Sequence, residues 1–218
     1  MKKKHHYIPC SFLSAFASKD SRDGLIFVFD KKNMRFFRQT CENVGYRPKY
    51  YSVDIDGESP DFVEDELGKI EGVCKPIIRK IEKDRRMVVG DDYVTLMYYL
   101  GILAVRVPTI RDRFNAQMDN LGKMVLKVTL QRKTPVDIMR FMADKGSPLE
   151  SIDDAIAMKE MVSSDAIRLS VDNTYQVGAV FQMATAIAEQ LIRRKWTVLY
   201  RTENQDAYFV CGDAPVML

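Results

Sequence analysis

The sequence has no hydrophobic run long enough to cross a membrane. A membrane-spanning helix needs about 18 consecutive apolar residues, and every apolar stretch of this chain is shorter. The N-terminal lysines are not followed by the apolar core of a secretory signal, because Pro9 and small polar residues interrupt the segment. We therefore expect a cytoplasmic protein with no membrane partner.

Cysteine and histidine are scarce. The four cysteines lie far apart without a Cys-x-x-Cys pair, which is typical of a reduced protein with buried thiols. The chain has two histidines, His5 and His6, and their spacing from Cys10 matches no usual zinc pattern. A divalent metal, the one cofactor that the residues suggest, would need a histidine together with carboxylates.

The motifs of several enzyme classes are also absent. There is no phosphate-binding glycine loop, no Gly-x-Ser-x-Gly, no His-Glu-x-x-His and no set of kinase motifs. The formal net charge of +3 is far below that of a dedicated nucleic-acid-binding protein, yet it leaves nucleic acid open as a partner.

The hydrophobic pattern predicts an α+β fold with a mainly helical core, three long helices plus shorter ones, and short antiparallel strands at both ends. The length of 218 residues predicts a single domain, residues 1–218, with a strand-rich part (1–58), a helical core (59–194) and C-terminal strands (195–218). The apolar ending Pro-Val-Met-Leu indicates a truncated C-terminus.

Apolar residues at steps of three and four place the helices. Long helices are predicted for about 59–84, 91–121 with a kink near Pro108, and 172–193, and shorter ones for 11–17, 135–144 and 151–163. Strands are predicted for 25–30 and 33–40 as a hairpin and for the C-terminal segment, and residues 50–59 are predicted to form a third short strand or an extended arm.

The second hairpin strand interleaves basic and aromatic residues in Lys-Lys-Asn-Met-Arg-Phe-Phe-Arg. This pattern suits single-stranded nucleic acid through stacking and charge. The pattern is equally typical of a hairpin that buries one aromatic face, and we favour that interpretation.

Three charged residues fall on or beside apolar helix stripes. Glu66 lies between Phe62 and Ile70 on its helix, Glu71 lies at the edge of the same stripe, and Arg111 follows Val107 on the next helix. A lone buried charge is costly, so each needs a partner. We favour a structural Glu66–Arg111 ion pair, and the alternatives are a polar pocket that holds a ligand or metal, exposure in a cleft, or a misplaced helix register.

The two histidines and Asp213 are further candidates. Neighbouring residues of an extended chain point to opposite sides, so one of His5 and His6 is expected to reach a given site while the alternative for both is a solvated tail. Asp213, between Gly212 and Pro215, is either a ligand-binding carboxylate or a turn-forming residue.

These residues resemble the motifs of bacterial domain-of-unknown-function family 4238. The His-His-Tyr-Ile-Pro opening with Phe12, Leu13 and Phe16 is similar to the start of that family. The resemblance continues through Tyr51, the acidic helix with Glu66 and Glu71, the Arg-x-Pro-x-x-Arg element at Arg106, Pro108 and Arg111, and the Gly-Asp-Ala-Pro turn with Asp213. It covers almost the whole chain, and it implies which residues matter without assigning an activity.

Two hypotheses follow. In the first, a polar pocket forms where the N-terminal segment meets the helical core and supports metal-assisted phosphodiester hydrolysis in a phage-defence or toxin setting. Its candidate catalytic residues are His5, His6, Glu66, Arg111 and Asp213, and its candidate ligand-binding residues are Tyr7, Glu71 and Arg106. In the second, the same residues form a structural network that pins the N-terminus of a non-enzymatic module binding protein or nucleic acid.

Overall fold

The computed structural model describes residues 3–202 and 208–217. The chain divides into two compact units, Met1–Arg111 with Asn173–Leu218, and Asp112–Asp172. Every candidate site residue predicted from the sequence lies in the first unit. The organisation as a single domain stays a prediction.

Two very short strands hold the N-terminal segment of the first unit. β1 (His5–His6) pairs antiparallel with β4 (Tyr46–Arg47), and the backbone N–H groups of Tyr7 and Ile8 then donate to the Gly45 carbonyl at 2.8 and 3.1 Å. Gly45 has a φ of +68°, and a Cβ there would lie 2.9 Å from the Cβ of Ile8. Only glycine fits this turn without strain.

The predicted helix at 11–17 forms as α1 (Cys10–Leu13) followed by a 3₁₀ turn (Ser14–Phe16). Pro9 precedes α1 with extended backbone angles, which suits the fixed φ of proline. The segment buries a small core of its own, formed by Ile8, Cys10, Leu13, Ile26 and Cys41. The N-terminal segment is therefore part of the folded body.

The predicted hairpin is confirmed as β2 (Leu25–Asp30) and β3 (Arg35–Thr40). Across the ladder Phe27 lies opposite Arg38, and Phe29 lies opposite Phe36. The Asp30 side chain begins the turn by accepting hydrogen bonds from the backbone N–H groups that follow it.

The inner face of this hairpin is the less aromatic one. Ile26 is buried and Val28 packs against the same N-terminal core. The opposite face points to solvent, and we call it the outer hairpin face; it consists of Leu25, Phe27, Phe29, Phe36, Arg38 and Thr40. The interpretation that we favoured, a hairpin burying its aromatic face, is wrong, because the buried side of β2 is aliphatic.

Three helices form the main core of the first unit. They are α2 (Phe62–Asp84), α3 (Asp91–Val105) and α7 (Asn173–Ile192). The predicted stripe of α2 is buried through Val63, Leu67, Cys74 and Ile77. The helix begins at Phe62 with Asp61 as its N-cap residue, three residues after the predicted start at about residue 59.

The second predicted long helix is two helices. α3 ends at Val105, and α4 (Pro108–Gln131) begins after Arg106 and Val107. Proline disfavours helical backbone in the residue before it and is well tolerated in a first helical turn, so a break rather than a kink forms here. Four long helices therefore replace the predicted three among the described residues.

The second unit has its own core. α5 (Pro135–Asp144) and α6 (Ile152–Ser163) match the predicted short helices, and each begins with a capping box, from Thr134 with Asp137 and from Ser151 with Asp154. The buried residues of this unit are Leu130, Ile138, Ala155 and Val162.

Two predicted strand regions do not form strands. Residues 50–59 and the described parts of the C-terminal segment, 195–202 and 208–217, adopt no regular strand pairing. In the described chain β1 pairs with β4 and β2 pairs with β3, and neither of these segments joins either ladder. The α+β, mainly helical fold class is confirmed, with the antiparallel strands on the N-terminal side.

No single helix among residues 3–202 and 208–217 has the length and apolar composition of a membrane span. Only α3 and α4 taken together reach that criterion, and a break separates them.

Candidate functional site

Arg106 is the centre of the candidate site. It follows α3, and 1% of the residue is exposed to solvent. Its Nη1 donates to Glu71 Oε1 at 3.0 Å, its Nη2 donates to the backbone carbonyl of His6, and its Nε donates to the Tyr51 hydroxyl at 3.3 Å. The same hydroxyl donates to the Arg106 carbonyl at 3.2 Å.

These contacts stabilise the charge of Arg106 inside the protein. Burial opposes the charged form, but Tyr51 and Glu71 outweigh it and hold the pKa of Arg106 above its ordinary value. The guanidinium also lies over the Tyr51 ring, 5.6 Å from its centroid. Arg106 thus links the N-terminal segment, the loop before α2, and α2 itself.

His5 is fully buried and uses both ring nitrogens. The backbone N–H of Tyr51 donates to His5 Nδ1 at 2.8 Å, and His5 Nε2 lies 3.3 Å from Asp61 Oδ1. Because Nδ1 accepts a hydrogen bond, the ring proton resides on Nε2, which donates to Asp61. The His5 ring also stacks on Tyr51 at 6.1 Å. His5 therefore fixes the chain on both sides of the loop that carries Tyr51.

His6 is also buried, on the other side of the segment. Its Nε2 donates to the Glu42 carbonyl at 3.2 Å, and its backbone N–H donates to Glu64 Oε1 at 3.4 Å. Burial lowers the pKa of His6, the hydrogen bond to Glu42 opposes this, and the charges of Arg22, Arg106 and Lys4 lower it further. The ring is neutral near pH 7. Both histidines are inside the protein with their rings on different partners, so the alternative of a solvated N-terminal tail is wrong.

Cys10 lies beside His6 without forming a catalytic dyad. Its Sγ is 3.2 Å from His6 Nε2 and donates to the Cys41 carbonyl at 3.5 Å. Burial raises the pKa of the Cys10 thiol to about 11, so the sulfur is protonated at neutral pH. A nucleophilic or metal-binding cysteine requires the thiolate.

The predicted Glu66–Arg111 ion pair is not formed in the part of the chain that the structure describes. Glu66 lies at the solvent edge of α2 and pairs with Lys69. Arg111 Nε donates to Gln176 Oε1 at 2.7 Å, its Nη1 donates to the Tyr50 carbonyl, and its guanidinium stacks on the Tyr50 ring at 4.5 Å. Of the two arginines in the Arg-x-Pro-x-x-Arg element, Arg106 forms an ion pair with the Glu71 carboxylate, whereas Arg111 donates to an amide oxygen and a backbone carbonyl.

The three remaining predicted residues lie around this cluster. Glu71 pairs with Arg106 and also accepts a hydrogen bond from the Ser11 hydroxyl at 3.3 Å. Tyr7 is half-buried, and burial followed by the charge of Asp213 raises its pKa. Asp213 itself is exposed in a bend.

A shallow cleft, with room for about one water molecule, adjoins the cluster. Its walls include both arginines of the Arg-x-Pro-x-x-Arg element, with Tyr50, Val180 and Phe181. The residues that line it are aromatic, aliphatic, amide and arginine side chains rather than carboxylates for acid–base chemistry.

The described residues do not fit a bound metal. Within residues 3–202 and 208–217, no group of three His, Cys, Asp or Glu side chains converges closely enough to hold an ion. His5 directs its Nε2 to Asp61 and His6 directs its Nε2 to a carbonyl, so neither ring nitrogen is arranged with further carboxylates.

The sequence did not predict several partners in the cluster. They are Tyr51 as the partner of His5 and Arg106, and Glu42, Gly45, Asp61 and Glu64. An acidic residue directly before α2 is a recognisable helix-start signal and could have drawn attention to Asp61. The backbone groups of Glu42 and Gly45 leave no side-chain signal.

Comparison with known proteins places the chain in a family. The family described as "Protein of unknown function (DUF4238)" matches residues 4–218. Neither a curated protein nor a solved structure matches the chain. The match includes the buried His-His-Tyr-Ile-Pro segment and Arg106 and spans almost the full sequence, so the chain belongs to the DUF4238 family.

Proposed function

We propose that this chain is a non-enzymatic binding module in which the buried polar cluster anchors the N-terminal segment. The observation that carries the proposal is the bonding of Arg106: each of its three guanidinium nitrogens donates to a protein acceptor, from His6, Tyr51 and Glu71. Those acceptors belong to three separate stretches of the chain. A buried arginine held from three sides stabilises the fold.

The histidines support the same role. Both ring nitrogens of His5 are hydrogen-bonded, Nδ1 to the backbone N–H of Tyr51 and Nε2 to Asp61, and His6 Nε2 donates to a carbonyl. A general base needs a nitrogen within reach of a substrate proton. This bonding favours anchoring over the acid–base roles of the hydrolase hypothesis, and the defence or toxin setting stays a prediction.

The anchored segment supports the hairpin. Ile8 and Leu13 pack against Ile26 and Val28 on the inner face of β2. The polar cluster and the hairpin are thus joined by one short stretch of chain. A binding module needs a rigid support beneath an exposed surface, and the outer hairpin face is such a surface.

Replacing Arg106 tests the proposal. Arg106→Met removes the charge and the N–H donors that bond to Glu71 Oε1, the His6 carbonyl and the Tyr51 hydroxyl. We expect the free energy of unfolding, measured in urea, to fall by about 3–5 kcal/mol. Glu66→Gln is the matched control, because its ion pair with Lys69 is exposed and its loss should change stability by less than about 1 kcal/mol.

A milder variant tests the proposal if Arg106→Met does not fold. Tyr51→Phe keeps the ring and removes one hydroxyl, and it should cost about 1–3 kcal/mol because Arg106 loses a donor and an acceptor. Two results together would show that the cluster is catalytic and the proposal is wrong. The first is that both variants keep wild-type stability. The second is that the wild type hydrolyses a chromogenic phosphodiester with Mn²⁺ and Glu71→Gln does not.

A further inference from the structure

The outer hairpin face exposes large aromatic side chains. Phe27 is 74% exposed and Phe36 is 77% exposed, and the Phe29 and Phe36 rings stack on each other at 4.5 Å. The Arg38 guanidinium lies 4.6 Å from the centre of the Phe27 ring. Aromatic and cationic groups therefore alternate across one solvent-facing sheet surface.

This hairpin carries a net positive charge. Residues 25–40 contain four basic residues, Lys31, Lys32, Arg35 and Arg38, and one acidic residue, Asp30, for a net charge of +3. The whole chain also has a formal net charge of +3, so the remaining residues sum to zero. Asp30 is engaged by Arg35 at 3.6 Å, and within the described residues no carboxylate pairs with Lys31, Lys32 or Arg38.

We propose that the outer hairpin face binds single-stranded nucleic acid. The inference rests on the proposed binding role and names the partner. Exposed rings provide stacking platforms for unpaired bases, and Arg38 with the turn lysines Lys31 and Lys32 provides contacts for the phosphates. The combination of rings and cations is complementary to nucleic acid, whereas an apolar protein surface would match the rings and leave the cations without partners.

The geometry favours a single strand over a duplex. Phe27 and Phe29 are two residues apart on β2, so their rings follow each other along the strand by roughly 6.6 Å. Bases can reach these rings only when they are unstacked from their own neighbours. A two-stranded sheet of this size matches a contact of two or three bases, and stacking of this kind is tolerant of sequence.

Fluorescence anisotropy with the full chain tests the proposal. The probes are labelled oligo-dT and oligo-U of about 12 nucleotides in about 50 mM salt, with a duplex of equal length for comparison. We expect binding of both single strands, weaker binding of the duplex, and a loss of roughly tenfold in affinity for each of Phe27→Ala and Phe36→Ala. Arg38→Gln should reduce the slope of log K against log salt by about 0.7, the value for one phosphate contact.

Tyr208→Ala is the matched control. Tyr208 is 76% exposed and lies 4.6 Å from the Arg201 guanidinium, so it reproduces the Phe27–Arg38 pair outside the hairpin. Its removal should leave affinity unchanged. The melting temperatures of Phe27→Ala and Phe36→Ala should be unaltered, so that a loss of affinity does not reflect a loss of stability. The anchoring role is tested separately, by the stability of the Arg106 variant.

Several outcomes overturn the inference. They are no binding of either oligonucleotide at low salt, tighter binding of the duplex, or equal affinity of Phe27→Ala, Phe36→Ala and the wild type. Self-association of the wild type that Phe27→Ala abolishes would assign the face to a second copy of the chain, and co-purification of a protein partner that is lost in Phe27→Ala would assign it to that partner.

Discussion

Arg106 shows how a single charged side chain is accommodated inside this protein. Moving a guanidinium from water into the interior is costly unless a carboxylate and further acceptors surround it. Glu71 supplies the carboxylate and Tyr51 and His6 supply neutral acceptors. Removing any one of them leaves a buried polar group unpaired, so the cluster behaves as a unit rather than as separate bonds.

His6 should make stability depend on pH. Its pKa in the folded protein lies below the ordinary value of about 6.5 because of burial. Above about pH 6.5 the ring is neutral in both states, and the full stability is present. Below that pH the unfolded chain takes up a proton that folded His6 resists, so stability falls with pH until the folded pKa is reached.

Urea unfolding between neutral pH and mildly acidic pH measures this effect. His6→Gln keeps an N–H group where His6 Nε2 donates to Glu42 and cannot titrate. The wild type should lose stability more steeply than His6→Gln as the pH falls, by at most about 1.4 kcal/mol per pH unit for one proton. Parallel stability curves for the two proteins would contradict the assignment of His6 as a buried neutral group.

At the scale of elements, the apolar periodicity predicted the helices well because helix faces depend on local spacing. The buried face of α2 passes through Leu67 and Cys74 as the pattern indicated. Glu66 was misplaced because its side of α2 faces solvent: Val73, seven residues further along the same line of the helix, is 58% exposed. The hairpin register was also local, but both faces of β2 are apolar, so alternation alone could not show which face is buried.

Gly101 allows α3 and α7 to approach closely. A Cβ on Gly101 would lie 2.5 Å from the Ala184 carbonyl oxygen and 3.2 Å from the Ala188 Cβ, and both alanines are buried. Gly101→Ala gains helix propensity but must push α7 away, so we expect a net loss of about 1–3 kcal/mol in thermal or urea unfolding. Gly68→Ala on α2 meets nothing within 4 Å and should stabilise by up to about 1 kcal/mol. Equal shifts for the two variants would show that the close approach carries no constraint.

At the scale of the whole molecule, the meeting of distant segments could not be predicted from local pattern. Strands of two residues, such as β1 and β4, have no alternation to detect. The partners of His5 lie 46 and 56 residues away along the chain, and those contacts involve a backbone amide and an acid at a helix start. The family resemblance marked most of the residues involved, while their pairing depended on the tertiary fold.

The N-terminal segment should therefore control the stability of the first unit. Deleting residues 1–8 removes the donors to the Gly45 carbonyl, the acceptor of the Tyr51 amide and an acceptor of Arg106. We expect hydrogen exchange to lose protection across α3 and α7, because their core is contiguous with Tyr51. The second unit buries its own core around Ile138, so its amides are the internal reference and should stay protected.

Lys3→Ala is the control and should leave the protection of every helix unchanged, since Lys3 is exposed. If the deletion leaves α3 and α7 fully protected, the segment is an accessory to the fold and the anchoring role of the histidines is wrong.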